Sequence, residues 1–131
     1  MDAALRRLIR QRAGDRCEYC RLPQSAVKTT LQVEHIVARQ HAGPSLADNL
    51  ALACDRCNLH KGTNLSAIDP QTGQVVPVFD PRTNVWTNHF ELVGAEIVGI
   101  SPMGRATARL LHFNTPTRLR VRRLLVATGQ W

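Results

Sequence analysis

Two Cys-x-x-Cys pairs, Cys17/Cys20 and Cys54/Cys57, constrain this chain more than any other feature. One such pair alone suggests redox chemistry. Two suggest a tetrahedral Zn²⁺ held by four thiolates, because a two-residue spacer lets both sulfurs of a knuckle reach one ion at about 2.3 Å. Disulfide pairing suits small exported frameworks, and nothing here signals export. The knuckles are separated by Arg21 to Ala53, 33 residues, where a simple zinc ribbon has about 15–20. Something longer than one hairpin turn is therefore clamped between them. Binding of this kind is worth on the order of 10–16 kcal/mol, enough to decide whether the segment folds. A zinc with four thiolates is closed to substrate and doubly negative. Arg16, Arg21 and Arg56, beside the ligands in sequence, are expected to balance it.

The remaining composition limits the partner rather than the fold. The chain has 131 residues, the length of one domain, and 44% of them are hydrophobic, too many for a disordered segment. Seventeen basic residues against ten acidic ones give a formal charge of +7, which favours a polyanionic partner. No run approaches the ~18 apolar residues of a membrane span, and Met-Asp-Ala-Ala is no signal-peptide start. A cytoplasmic protein without membrane contact is expected.

Between the knuckles, alternation at Leu31, Val33 and His35 predicts a half-buried strand, and Leu50 to Ala53 a second one. Asp55 is expected to cap a short helix over Arg56 to Lys61, with Gly62 stopping it. The order is strand, loop, strand, helix, pinned at its base by zinc. Cys-x-x-Cys, then Glu34-His35-Ile36, then Asn49-Leu50, then Cys54-x-x-Cys57-Asn58-x-x-Lys61-Gly62 resembles the HNH endonucleases with a zinc-stabilised ββα-metal core. The likeness covers about 14–63. It departs from the usual motif where Asn58 stands in place of a final histidine, with His60 two places on as an alternative.

The resemblance implies a metal-dependent endonuclease that hydrolyses DNA phosphodiester bonds to 5′-phosphate and 3′-hydroxyl ends. Within it, His35 is the general base. An imidazole suits that task because its unperturbed pKa near 6.5 leaves it largely neutral at physiological pH. Asn49, grouped with His35 in the catalytic set, fixes the long loop and the imidazole by hydrogen bonding rather than by reacting. Glu34 and Asn58 are ligands of one divalent ion, and a carboxylate with an amide oxygen suits Mg²⁺ or Mn²⁺. Lys61 and Arg39 are expected to hold the substrate phosphate. Two points of geometry bear on this. Neighbours in a regular strand face opposite sides, so Glu34 and His35 cannot both aim at one site unless the strand ends there. Positions two apart on a helix lie on nearly opposite faces, whereas Asn58 and Lys61, three apart, share one; this favours Asn58 over His60.

The rest of the chain reads as flanking structure. An amphipathic helix is expected over Ala3 to Arg12, a turn at Asp69 to Gly73, an edge strand over Gln74 to Phe79, and another strand over Glu91 to Ile100. Ser101-Pro102 and Thr115-Pro116 each start a helix. Ile97 to Trp131 holds six arginines and no acid, and Arg118, Arg120, Arg122 and Arg123 could follow a nucleic-acid backbone. The expected fold class is α+β. It comprises a ββα-metal core with a four-cysteine structural zinc, an N-terminal helix, and a C-terminal strand-plus-two-helix extension over about 64–131, all in one domain. The expected partner is DNA, with RNA left open beside it. The alternative function is a non-catalytic, zinc-containing nucleic-acid-binding module, which needs the cysteines but neither Glu34 nor His35. The residues specify no target sequence and no oligomeric state.

Overall fold

The computed structural model describes residues 1–131. Its first helix, α1 (Ala3–Arg12), starts where the Asp2 carboxylate accepts the Leu5 amide at 2.7 Å, satisfying one of the free N–H groups of the first turn. Ile9 is fully buried on it, and two of its arginines tie the helix to segments further along the chain. Arg12 donates to the carbonyls of Ala47 at 2.8 Å and Leu50 at 2.6 Å, and Arg10 to that of Leu31.

Two short strands, β1 (Gln32–His35) and β2 (Leu50–Ala53), pair antiparallel from Gln32 opposite Ala53 to His35 opposite Leu50. All four residues of β2 are buried, consistent with its unbroken apolar run. Helix α2 (Asp55–Lys61) comes directly after it. Its cap is Cys54 rather than the expected Asp55: the Cys54 Sγ accepts the Cys57 amide at 3.5 Å, and Asp55 is the first helical residue. The same turn that gathers the sulfurs aims the first of them at the helix N–H groups, so the knuckle supplies its own cap. Gly62, at φ 51°, ends the helix.

The later strands are more numerous than the sequence suggests. Between β3 (Ser66–Ile68) and β4 (Val75–Pro77) lies the turn expected at Asp69 to Gly73. The segment expected as one strand over Glu91 to Ile100 is instead a tight hairpin, β5 (Phe90–Val93) and β6 (Glu96–Gly99). Gly94 reverses the chain at φ 61°, where a side chain would be strained. Helices α3 (Pro102–Leu110) and α4 (Pro116–Ala127) start as expected, capped by the Ser101 and Thr115 hydroxyls, each with proline in the first turn. Gly104 lies in α3 for a packing reason: a Cβ there would stand 1.9 Å from the His89 carbonyl oxygen.

One hydrophobic cluster of 19 buried residues runs from Ile9 through the knuckles and β2 to Phe113 and Leu125. Phe90 is its aromatic hub, with ring centroids 5.4 Å from Phe79, 5.0 Å from Trp86 and 5.5 Å from Phe113. Trp86 also donates its indole N–H to the Tyr19 carbonyl at 2.7 Å, fastening the extension to the first knuckle.

The β3–β4 turn is held to α3 by charge. Asp69, fully buried, accepts two Arg105 guanidinium N–H groups at 2.9 Å each, the Gln71 amide at 3.0 Å and the Thr72 hydroxyl at 2.8 Å. Arg105 above all, and then the Gln71 and Thr72 donors, hold its carboxyl below the usual carboxylate range, outweighing the effect of burial. A depressed folded-state pKa stabilises fully above the unfolded value near 4 and ceases to do so as acid protonates the folded carboxylate. Asp69→Asn is therefore expected to lower the melting temperature at neutral pH. That gap from wild type should narrow as pH falls below about 4 in thermal melts.

Candidate metal centre and active site

The four cysteines meet. Their Sγ atoms all lie within 4.8 Å of one another and all four residues are buried, an arrangement compatible with tetrahedral zinc. Burial pushes the Cys17 thiol up, whereas hydrogen bonding within the cluster pulls Cys54 down toward thiolate. The cation at this cluster is not the one expected. Arg118, from α4, donates to Cys54 Sγ at 3.8 Å and to the Asp55 carboxylate at 3.2 Å. Arg16 instead donates to the carbonyls of Arg21 and Gln130, and Arg21 lies over the Trp86 ring. Arg122, expected on a nucleic-acid backbone, is only 2% exposed and donates to the carbonyls of Ala95 and Phe113. Of the four arginines on α4, only Arg120 and Arg123 are exposed.

Strand β1 sorts the remaining chemistry onto two faces. Gln32 and Glu34 turn toward α2, where Asn58 and Lys61 meet them. The Asn58 amide donates to Gln32 Oε1 at 2.9 Å and makes no other hydrogen bond, leaving its Oδ1 free. Glu34, 7% exposed, accepts the Tyr19 hydroxyl on Oε1 and the Lys61 ammonium on Oε2 at 3.2 Å. Burial raises the Glu34 carboxyl pKa, against the opposing pull of Lys61 and Tyr19. Burial and the Glu34 charge raise the Tyr19 phenol well above its ordinary value.

Lys61 corrects the expectation of a phosphate-holding ammonium. It is 2% exposed and encircled by three oxygens: Glu34 Oε2, the His35 carbonyl at 3.2 Å and the Ile36 carbonyl at 2.8 Å. Its position three residues after Asn58 put it on the right helix face, but that face packs on β1 rather than opening to solvent. Arg39 is exposed, at the start of a 3-10 turn over Arg39–His41.

His35 ends β1, half-buried, with its ring on the face opposite Glu34, and its Nε2 lies 2.8 Å from Ser45 Oγ. Burial, then the charges of Arg39 and Lys61, lower its pKa, so the ring is neutral at physiological pH. Asn49 does not touch the imidazole. It braces the loop, donating to the carbonyls of Val37 at 3.0 Å and Pro44 at 2.9 Å and accepting the Val37 amide at 2.9 Å. His60 turns toward the α3–α4 connection and stacks on His112, with ring centroids 4.1 Å apart. Tyr19, Gln32 and Ser45 were not singled out in the sequence. Gln32 could have been, two residues before Glu34 on the same strand face. Tyr19 and Ser45 carry no local signal, because only tertiary packing brings them to the site.

Comparison with known proteins agrees with this arrangement. Residues 17–64, which span the knuckles, the hairpin and α2, match the model of the HNH endonuclease family. Over 119 residues the chain is 28% identical to the Septu protein PtuB of Bacillus thuringiensis, covering 88% of this chain and 43% of that protein. The chain therefore spans less than half the length of that relative. No solved structure matches it. The family supports a nuclease-type function acting on nucleic acid. No helix of the chain is long and apolar enough to cross a membrane.

Removing one member of a buried ion pair strands the other. Lys61→Met is expected to destabilise the fold by about 3–5 kcal/mol. Adding Glu34→Gln to it should recover a substantial part of that loss in urea unfolding. A double variant that loses the sum of what Lys61→Met and Glu34→Gln lose singly would show that the pair is not coupled.

Proposed function

We infer that residues 17–64 carry a metal-dependent endonuclease site that hydrolyses DNA phosphodiester bonds, with residues 64–131 folded onto it as part of one domain. The observation that carries this reading is His35. Its imidazole stands at the end of β1, 2.8 Å from Ser45 Oγ and half-open to solvent, within the segment matched to the family. A base so placed takes a proton from a water molecule. The resulting hydroxide attacks phosphorus in line, and the 3′ oxygen leaves.

Glu34 and Asn58 supply the oxygen donors for a divalent ion, and Gln32 offers a third. This all-oxygen set fits Mg²⁺ or Mn²⁺ better than a soft ion. Such an ion would stabilise negative charge on the phosphoryl group and the leaving oxygen of a phosphate bound across the end of β1, since Glu34 and the His35 ring leave opposite faces of the strand and only its end at His35 lets one substrate meet both. Asn58 has a free Oδ1, whereas both oxygens of Glu34 are engaged, one by Tyr19 and one by Lys61, so an ion there would use their remaining lone pairs. His60, stacked on His112, is the weaker candidate for that ligand position. Asn49 keeps the loop in place without reacting. Arg39 is the exposed cation available to the substrate phosphate. The four-cysteine centre holds the architecture and takes no part in the chemistry.

A plasmid-nicking assay tests this. Nicking is expected with Mg²⁺ or Mn²⁺, none with chelator, and His35→Ala is expected to fall by a factor of at least ~10². Cys54→Ser should lose activity together with its fold. A His35→Ala variant as active as wild type removes the mechanism. One observation favours the second reading, a zinc-containing module that binds nucleic acid without cutting it: Lys61 already neutralises Glu34. Wild-type protein that retains DNA yet leaves it intact with either ion would establish that reading.

A further inference from the structure

The edge of β2 that faces away from β1 is covered by two side chains of opposite charge. Arg12 donates to the Leu50 carbonyl at 2.6 Å. Glu18 accepts the Leu52 amide on Oε2 at 2.8 Å, and its own amide donates to the Leu52 carbonyl at 2.8 Å. Leu50 stands opposite His35 in the β1–β2 register, so this edge lies one strand away from His35. Beside it, an open cavity of about 210 Å³ lies between the end of α1, the first knuckle and the segment around Trp86. Arg12, Arg16 and Arg21 line it, with Glu18, Asn84 and Trp86.

The charges on this wall do not balance. Glu18 is its only acid and is engaged on both oxygens, by Arg82 and by the Leu52 amide. Arg12, Arg16 and Arg21 have no carboxylate partner. Arg12 and Arg16 donate only to backbone carbonyls and keep N–H groups to spare. Arg21 makes no side-chain hydrogen bond, and its guanidinium lies 4.6 Å over the Trp86 ring. Burial, then the Arg82 charge, lower the Arg12 pKa, as befits a cation held beside another cation. Arg82 in turn keeps its Nη1 buried with no hydrogen-bond partner. Asn84 adds a neutral donor: its Oδ1 accepts the Asp80 amide at 2.9 Å, and its Nδ2 makes no hydrogen bond. The nearby sulfur cluster does not account for these cations, because the guanidinium on its sulfur is that of Arg118.

Guanidinium donors around a small open cavity suit a tetrahedral oxyanion, since the planar fork matches phosphate. Arg21 occupies the place over Trp86 that a stacked base would need, so the wall reads charge rather than base identity. The cavity lies about two strand spacings from His35, on the order of 10 Å. A nucleic-acid strand covers that distance in about three nucleotides, at ~3.4 Å of rise each.

We propose that the cavity lined by Arg12, Arg16 and Arg21 is a phosphate seat. It takes a backbone phosphate of the nucleic acid a few nucleotides from the bond presented to His35, so the substrate runs over the first knuckle and not along α4. The inference rests on the nucleic-acid partner of the nuclease reading, but not on cutting. A free nucleotide carries the same phosphate chemistry, and the experiment separates the two sources.

Binding of a fluorescein-labelled DNA duplex by the zinc-loaded protein, read by anisotropy over a range of KCl concentrations without added Mg²⁺ or Mn²⁺, tests the seat. The proteins compared are wild type, Arg21→Gln, Arg21→Lys and Arg120→Gln. Arg21→Gln removes no hydrogen bond and is expected to keep the wild-type melting temperature. Its plot of log affinity against log salt should be shallower by about 0.9, with about fivefold weaker binding at about 0.15 M salt. Arg21→Lys should restore both, and Arg120→Gln, on α4, should match wild type. An unchanged slope in Arg21→Gln, an equal drop in Arg120→Gln, or a wild type that binds no duplex overturns the proposal. Thermal melts with a nucleoside triphosphate distinguish the source. Stabilisation of wild type that Arg21→Gln abolishes, with duplex binding equal in the two, assigns the cavity to a free nucleotide and overturns the backbone phosphate. Arg21-dependent binding by a protein that never nicks leaves the seat standing and defeats the nuclease reading. Nicking with Arg21-independent binding does the reverse.

Discussion

Four sulfurs drawn from positions 37 residues apart carry the rest of this structure. A hairpin of two four-residue strands and a seven-residue helix could not hold its shape by its own ladders and turns. With both ends clasped, the hairpin and helix close on each other, and the chain between must return to its starting point. Cys54 has two roles in this clasp: it is one of the gathered sulfurs and also the cap of helix α2. The site is as rigid as the knuckles make it.

Strand β1 then divides the labour. Its pleat sends Gln32 and Glu34 against α2 and sends His35 the other way, so the carboxylate and the imidazole lie on opposite sides of one ribbon. The acid side is crowded, with Tyr19 and Lys61 both on Glu34. The base side is spare, with one hydroxyl on the ring and solvent beyond it.

Much of this was legible in the residues. Cysteine spacing announced the clasp, Ser-Pro and Thr-Pro announced two helix starts, and the alternation around Val33 placed His35 at a strand end. What stayed hidden has a common cause. A lysine three residues after Asn58 lies on the right face whether that face is wet or dry, and only the packing of α2 on β1 makes it dry. Arg118 and Arg122 carry the same charge as Arg120 and Arg123, and nothing local separates the two that serve as internal struts from the two that meet water. Residues 91–100 alternate well enough for one strand, and their division at Gly94 depends on a positive φ that an isolated glycine only permits. Ser45 is a serine in a polar loop until the loop closes.

The guanidinium of Arg118 on the Cys54 sulfur links parts of the chain that lie 64 residues apart. Whatever occupies the sulfur cluster then shares its free energy with the last helix, and the sharing runs in both directions. Stripping the cluster should slacken amide protection in α4, and loosening α4 should quicken escape of the ion. The carboxyl-terminal helix is, in that sense, a remote gauge of whether the knuckles are filled.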